Sequence, residues 1–421
     1  MQDAVSRRTT CRLCGSSHVE LVVKLDPIPL SENYATDRAV AAGKPRYPVD
    51  VYMCADCGHV QHLDVIDPAV LWDSYTYYSG NAKGMPEHFR QMAEKMVARA
   101  APPQGALVID IGSNDGSLLK PFQEKGYRVL GIDPATEVAA KANADGIPTI
   151  AALMSRDLAR RIRAEHGPAH MIAAFNVFAH ADDLGEMVDC VRELLAPEGL
   201  FTFEAQYLLD IVDGVLIATI FHEHMSHHSA KPLLPFLARH GLQLIDVERA
   251  PIQHGSLIGT VQRADGRRAV APSVGAIVAL EEGRGLNRIE TLRRFDAEVQ
   301  RLRAGTRALV AGWKRAGKTI AGYGAARSGP TLILQLGLTG ALDFIVDDHP
   351  QKLGKYETGD GIPVVPTAEL LRRQPDYTVI LAWVHAQKII DSNREYLERG
   401  GHFVVLCPQT RVVGKDSLPP I

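Results

Sequence analysis

Two short cysteine pairs, Cys11-Arg12-Leu13-Cys14 and Cys54-Ala55-Asp56-Cys57, offer four thiolates in two knuckles. A two-residue gap lets both sulfurs of a pair face one ion, and Gly58 suits the turn after the second knuckle. Four thiolates complete a tetrahedral Zn²⁺ shell, so the expected ion is structural and has no open position for chemistry. In a reducing compartment such spacing favours metal ligation over disulfides. Cys190 and Cys407 sit alone in apolar stretches and are expected to be small core residues.

The segment IFHEHMSHHS (220–229) concentrates four histidines and a glutamate. It lacks the His-Glu-x-x-His spacing of a zinc protease, since position 226 is Ser. Three roles stay open for it: general acid/base work, core packing, or a second metal site. The first is favoured because an imidazole titrates close to working pH.

A third stretch, VIDIGSNDGSLL (108–119), runs from an apolar strand into a glycine turn and a helix. Asp110 ends the strand, Gly112 begins the turn, Asn114 lies within it and Gly116 opens the helix. Small residues there let a ligand approach the backbone at the carboxyl edge of a sheet. The Gly-x-x-x-Gly spacing departs from the dinucleotide fingerprint and better suits S-adenosylmethionine, with a nicotinamide cofactor as the competitor. Asp133 closes the next strand, where its carboxylate can accept both ribose hydroxyls, and Asn176 and His180 follow the fourth strand at the same edge.

The elements that must position these residues alternate. Apolar runs at 106–112, 127–133, 171–178 and 199–205 read as strands separated by helices, which predicts a parallel sheet covered on both faces. A helix is expected over 86–99, ended by Pro102-Pro103, and a charged helix pair over 272–317. Beyond it, runs at 318–324, 341–348, 377–383 and 401–407 predict a second, smaller doubly wound unit. The fold class is therefore α/β. The expected division is a zinc-binding domain at 1–75, a Rossmann-like methyltransferase domain at 76–272, and a helical linker with a C-terminal Rossmann-like domain at 273–421.

Composition bounds the partners. With 46 basic and 49 acidic residues in 421, net charge −3, there is no electrostatic footprint for nucleic acid or a membrane surface. Apolar runs are too short to cross a bilayer, and the N-terminus lacks the apolar core of a secretory signal. A cytoplasmic protein is expected.

Several motifs together resemble the deoxysugar C-methyltransferases of antibiotic and cell-surface polysaccharide pathways. They are both cysteine pairs, YTYYSG (75–80), DIGSNDGSLL, NVFAH, FHEHMSHHS, QHGSL (253–257), GYGAARSGPTL (322–332) and DDHPQKLGKYETGDGIPV (347–364). The resemblance spans nearly the whole chain. It implies a three-domain monomer that takes a methyl group from S-adenosylmethionine to C3 of a dTDP-linked 4-keto-6-deoxysugar through an enolate. By the same resemblance His224 falls on the general base and Glu223 on its partner, with His180 and Tyr75 at other active-site positions. His254 and Ser256 would line the cleft, and Tyr77, Ser79, Phe221, His222, Tyr323, Arg327 and Lys352 would contact substrate. The family usually carries Tyr where Phe221 stands, Lys where Ser328 stands, and Trp-Asn where Trp383-Val384 stands. The glycine cluster 322–329 fits either a phosphate-binding turn, with Arg327 supplying charge, or a plain packing turn.

Overall fold

The computed structural model describes residues 4–72, 78–81 and 84–417. Tyr75 and Tyr77, two of the expected active-site tyrosines, lie outside the described residues.

A seven-stranded sheet forms the middle of the chain. Its spatial order is Thr149–Ala151, Arg128–Asp133, Leu107–Ile111, Ala169–Phe175, Leu195–Gln206, Ser256–Arg263, Leu242–Ala250. The first five run parallel. The four runs read as strands from the sequence are among the parallel ones; the last two strands, outside those runs, are antiparallel to their neighbours. The cause is the connection: 251–255 is too short for a crossover helix, so the chain can only fold back as a hairpin. Central strands are apolar on both faces because helices cover both; Leu107 to Ile111 are buried throughout.

The helix Met85–Ala100 shows how sequence period becomes placement. Its buried residues Met85, Phe89, Met92, Ala93, Met96 and Ala100 recur at the i, i+3/i+4 spacing of one helical face. Pro86 sits in the first turn, where a missing N–H costs nothing, and the helix ends before Pro102. That face packs on Ala169–Phe175 and Leu195–Gln206. Burial of Phe89 alone contributes roughly 1.5–3 kcal/mol.

The cysteine region folds on an antiparallel sheet of Val19–Val23, Val51–Cys54 and Val60–His62. A fourth strand, Ser226–His227, comes from the histidine segment and pairs with Val60–His62. The C-terminal sheet has the order Val364–Val365, Ile345–Val346, Ile320–Tyr323, Tyr377–Ile380, His402–Val405, Arg411–Val413. Five of these strands are parallel and the last is antiparallel. Between the two larger sheets run the helices Pro272–Gly283 and Ile289–Arg315, as the charged stretch predicts. The longer one lays Leu292, Phe295, Val299 and Leu302 toward the core and contacts Val19–Val23. Cys190 is buried and Cys407 half-buried, both free thiols packed on the main core. No helix among the described residues is long and apolar enough to cross a membrane.

Candidate active site

At the carboxyl edge of the central sheet lies a cleft of about 370 Å³. Its wall draws on the glycine turn, the two loops after Phe175 and Gln206, the histidine segment, and the C-terminal loops at 326–328 and 382–385.

Gly112 and Asn114 line one end with Asp133. Gly112 has φ +74°, and a Cβ there would come within 2.6 Å of the Val177 side chain, so glycine is required. The Asn114 N–H donates to Asp133 Oδ2 at 2.9 Å, and the Ala135 N–H donates to Oδ1 at 2.9 Å. These bonds aim the carboxylate while leaving lone pairs for a ribose. Asn176 adopts φ +57° just past its strand and also faces the cleft. Ser79 joins this end, its N–H donating to Asn114 Oδ1 at 2.8 Å.

Two of the expected donor-site residues stand behind the cleft wall. Asp110 and Gly116 are not cleft-lining residues. Asp110 is buried in the strand, where burial, and then Asp133, push its carboxyl up to about 8; burial raises Asp133 too. Gly116 packs against Ile147, whose Cγ2 would lie 2.8 Å from an added Cβ.

His224 lies at the other end of the cleft, 4.0 Å from the Phe221 ring and stacked on His180 at 5.3 Å between ring centroids. Its Nδ1 is 2.6 Å from the Thr219 carbonyl oxygen. A carbonyl can only accept, so Nδ1 carries the hydrogen and the neutral ring keeps its lone pair on Nε2. Burial, opposed by the Thr219 bond and assisted by Arg327, lowers the imidazole to about 4. His180 is likewise held well below the usual histidine range, first by burial and then by His224 and Arg327. Both rings are therefore neutral at physiological pH. Arg327 lines the cleft beside them, its Nη1 2.8 Å from Glu223 Oε2.

Other expected contacts do not face the cleft. Glu223 is buried behind it and pairs with Arg327. His222 points the opposite way, its Nε2 3.1 Å from the Tyr47 carbonyl, because successive residues of this irregular turn diverge. Ser256 is fully buried and donates to the Ile252 carbonyl. Tyr323 packs on Phe403, and its hydroxyl accepts from Asn393. Lys352 spans to Glu32 at 2.8 Å and donates to the Ala325 carbonyl, tying the N-terminal region to the C-terminal one. His254 is exposed at the rim, against Trp383 at 4.5 Å. The motifs did not single out Trp72, Met85, Phe89, Phe175, Gln206 and Thr219, which line the cleft; Gln253, first of the QHGSL motif, lines it too. Of those outside the motifs only Met85 and Phe89 had a signal, the apolar face of their helix, and that signal also fits plain packing.

Away from the cleft, the sulfurs of Cys11, Cys14, Cys54 and Cys57 lie within 4.8 Å of one another. Cys11 to Cys57 is 3.6 Å and Cys14 to Cys54 is 3.5 Å. Tetrahedral zinc with 2.3 Å bonds separates sulfurs by about 3.8 Å, so the donor set fits zinc. Among the described residues no histidine joins a group of three or more potential metal ligands.

Three family models match in succession: the "Putative zinc binding domain" at residues 11–72, the "Methyltransferase domain" at 85–247 and the "C-methyltransferase C-terminal domain" at 251–408. The C-methyltransferase NovU of Streptomyces niveus is 36% identical over 99% of this chain and 100% of its own. This chain belongs to the C-methyltransferase family. It is an S-adenosylmethionine-dependent enzyme with an N-terminal zinc centre, and the nicotinamide reading falls away. The ubiquinone biosynthesis O-methyltransferase of Xylella fastidiosa is 26% identical over 36% of this chain and 66% of its own length. Among solved structures, magnesium protoporphyrin IX methyltransferase of Synechocystis PCC 6803 with bound SAH matches at 19% identity. It covers 43% of this C-methyltransferase and 84% of its own chain at TM-score 0.34.

Proposed function

We propose that this C-methyltransferase methylates C3 of a dTDP-linked 4-keto-deoxysugar through an enolate, with His224 as the base. Carbon offers no lone pair to a sulfonium methyl, so a proton must first leave the carbon beside a carbonyl. The observation that carries the reading is His224 itself: an imidazole lining the cleft, its Nδ1–H committed to the Thr219 carbonyl and the lone pair left on Nε2. In this account Nε2 takes the C3 proton while the electron pair moves onto the C4 oxygen. The enolate carbon then attacks the methyl group and the carbonyl reforms.

Arg327, in the cleft wall, supplies positive charge for a substrate anion. Asp133, Gly112, Asn114 and Asn176 hold the donor at the opposite end, where bound S-adenosylmethionine supplies the electrophilic methyl. Phe221 presents a ring and no hydroxyl, so the enolate oxygen takes its hydrogen bond from elsewhere in the cleft.

Incubation with labelled donor and a dTDP-4-keto-deoxysugar tests the proposal by NMR of the product. A new methyl group coupled through carbon to C3 is expected. A methyl on oxygen or nitrogen, or at another carbon, overturns the assignment.

A further inference from the structure

Arg12 lies inside the first zinc knuckle, and its side chain is 0% exposed. Its backbone N–H and its Nη1 both donate to Gln61 Oε1, each at 3.1 Å, and Nη1 also donates to the His62 carbonyl. Its Nη2 pairs with Asp182 Oδ1 at 3.0 Å. Asp182 stands two positions after His180 in the loop that brings this ring to the cleft. Arg8 holds the same carboxylate from its more exposed side at 3.2 Å.

The other cleft histidine is tied to the same place. The His62 N–H donates at 2.9 Å to the carbonyl of Met225, the residue after His224. The next residues, Ser226 and His227, add a strand to Val60–His62. The Ser226 N–H then donates at 3.1 Å to the carbonyl of Ala179, the residue before His180. A closed circuit results, from the knuckle through Arg12 to Asp182 and the His180 loop, across Ala179 and Ser226 to the His224 turn, and back through His62 to Arg12.

We infer that Arg12 is a positioning residue through which the zinc knuckle sets the placement of His180 against His224; its catalytic consequence rests on the proposed role of His224. Arg12 touches neither ring and does not line the cleft. A rigid fork suits the task because one guanidinium reaches Gln61, a carbonyl and a carboxylate in fixed directions, which a lysine ammonium cannot do. Four sulfurs clamped on one ion would hold the knuckle backbone and thereby the direction of the fork.

Asp182→Ala removes the accepting oxygens and breaks the link from the cleft side while leaving the knuckle intact, and Arg12→Lys breaks it from the zinc side. Each variant and the double variant are assayed for zinc content, SAH affinity, kcat and KM, and for the imidazole NMR signals of His180 and His224. Zinc content is expected to stay at wild type. Affinity for SAH is expected within about twofold, while kcat falls about ten- to a hundredfold, since small misplacements cost that much. The double variant should be no slower than the slower single one. The imidazole signals should move in both variants, and stripping zinc from the wild type with a chelator should move the same signals.

Unmoved signals with wild-type kcat in Asp182→Ala overturn the inference, as does a kcat loss that simply follows lost zinc or lost SAH binding. If Arg12→Lys does not fold, Asp182→Ala and the chelator experiment decide by themselves. If the signals move as expected but even the wild type methylates no ketosugar, the positioning role stands and the acceptor assignment falls.

Discussion

The histidines of one short segment have two fates. His224 turns into the cleft, hydrogen-bonded to the Thr219 carbonyl and stacked on His180. His227 and His228, three and four residues on, are buried against the cysteine sheet, with His227 packed on His62 at 5.3 Å and His228 on Phe178 at 4.9 Å. His222 is buried on Tyr47. Residue type is the same throughout and burial keeps every one of these rings neutral, so a depressed pKa does not distinguish a base from a packing residue. Access to the cleft does.

The contrast breaks most sharply at His224. His224→Asn is expected to lower turnover about 10²- to 10⁴-fold while SAH affinity stays within a few-fold, measured by steady-state kinetics and calorimetry. Next, Asp133→Ala should weaken SAH binding by about ten- to a hundredfold by removing hydrogen bonds to a charged group, whatever happens to the histidines.

A pH titration of stability tests the packing side. His62, His222 and His228 are lowered to about 4 by burial, from an ordinary 6.5. The unfolded chain therefore binds more protons between those values, and the stabilisation present above pH 6.5 is lost as pH falls toward 4. The expected loss is on the order of a few kcal/mol, read as a falling denaturant midpoint. A flat midpoint over that window means that these rings are more hydrated than the structure shows. The smallest effect is reserved for His222→Phe, which leaves the Tyr47 carbonyl unpaired. It should cost about 1–3 kcal/mol of stability with near wild-type turnover of the folded fraction.

Much of this plan was legible in the chain, and the illegible part has a common cause. Alternating apolar runs located the strands at 107–111 and 128–133 because a strand buried on both faces must be apolar along its length. The cysteine spacing gave the zinc site because four ligands on two turns depend mostly on local backbone. The antiparallel hairpin of Leu242–Ala250 and Ser256–Arg263 was not apparent, since pairing direction depends on which neighbour the strand finds. The directions of His222 and Ser256 escaped for a similar reason: outside regular structure no period says which side chain faces where. Lys352 looked like a substrate contact from its motif, but its partner Glu32 is remote in sequence and only folding brings it near.

Exchange of solvent deuterium into the acceptor carbon, with SAH in place of the donor, probes the central claim most directly. With the methyl step blocked, the wild-type protein should still wash deuterium into C3 of the dTDP-4-keto-deoxysugar, and His224→Asn should not. No exchange by the wild type, or undiminished exchange by the variant, would contradict an enolate formed by His224.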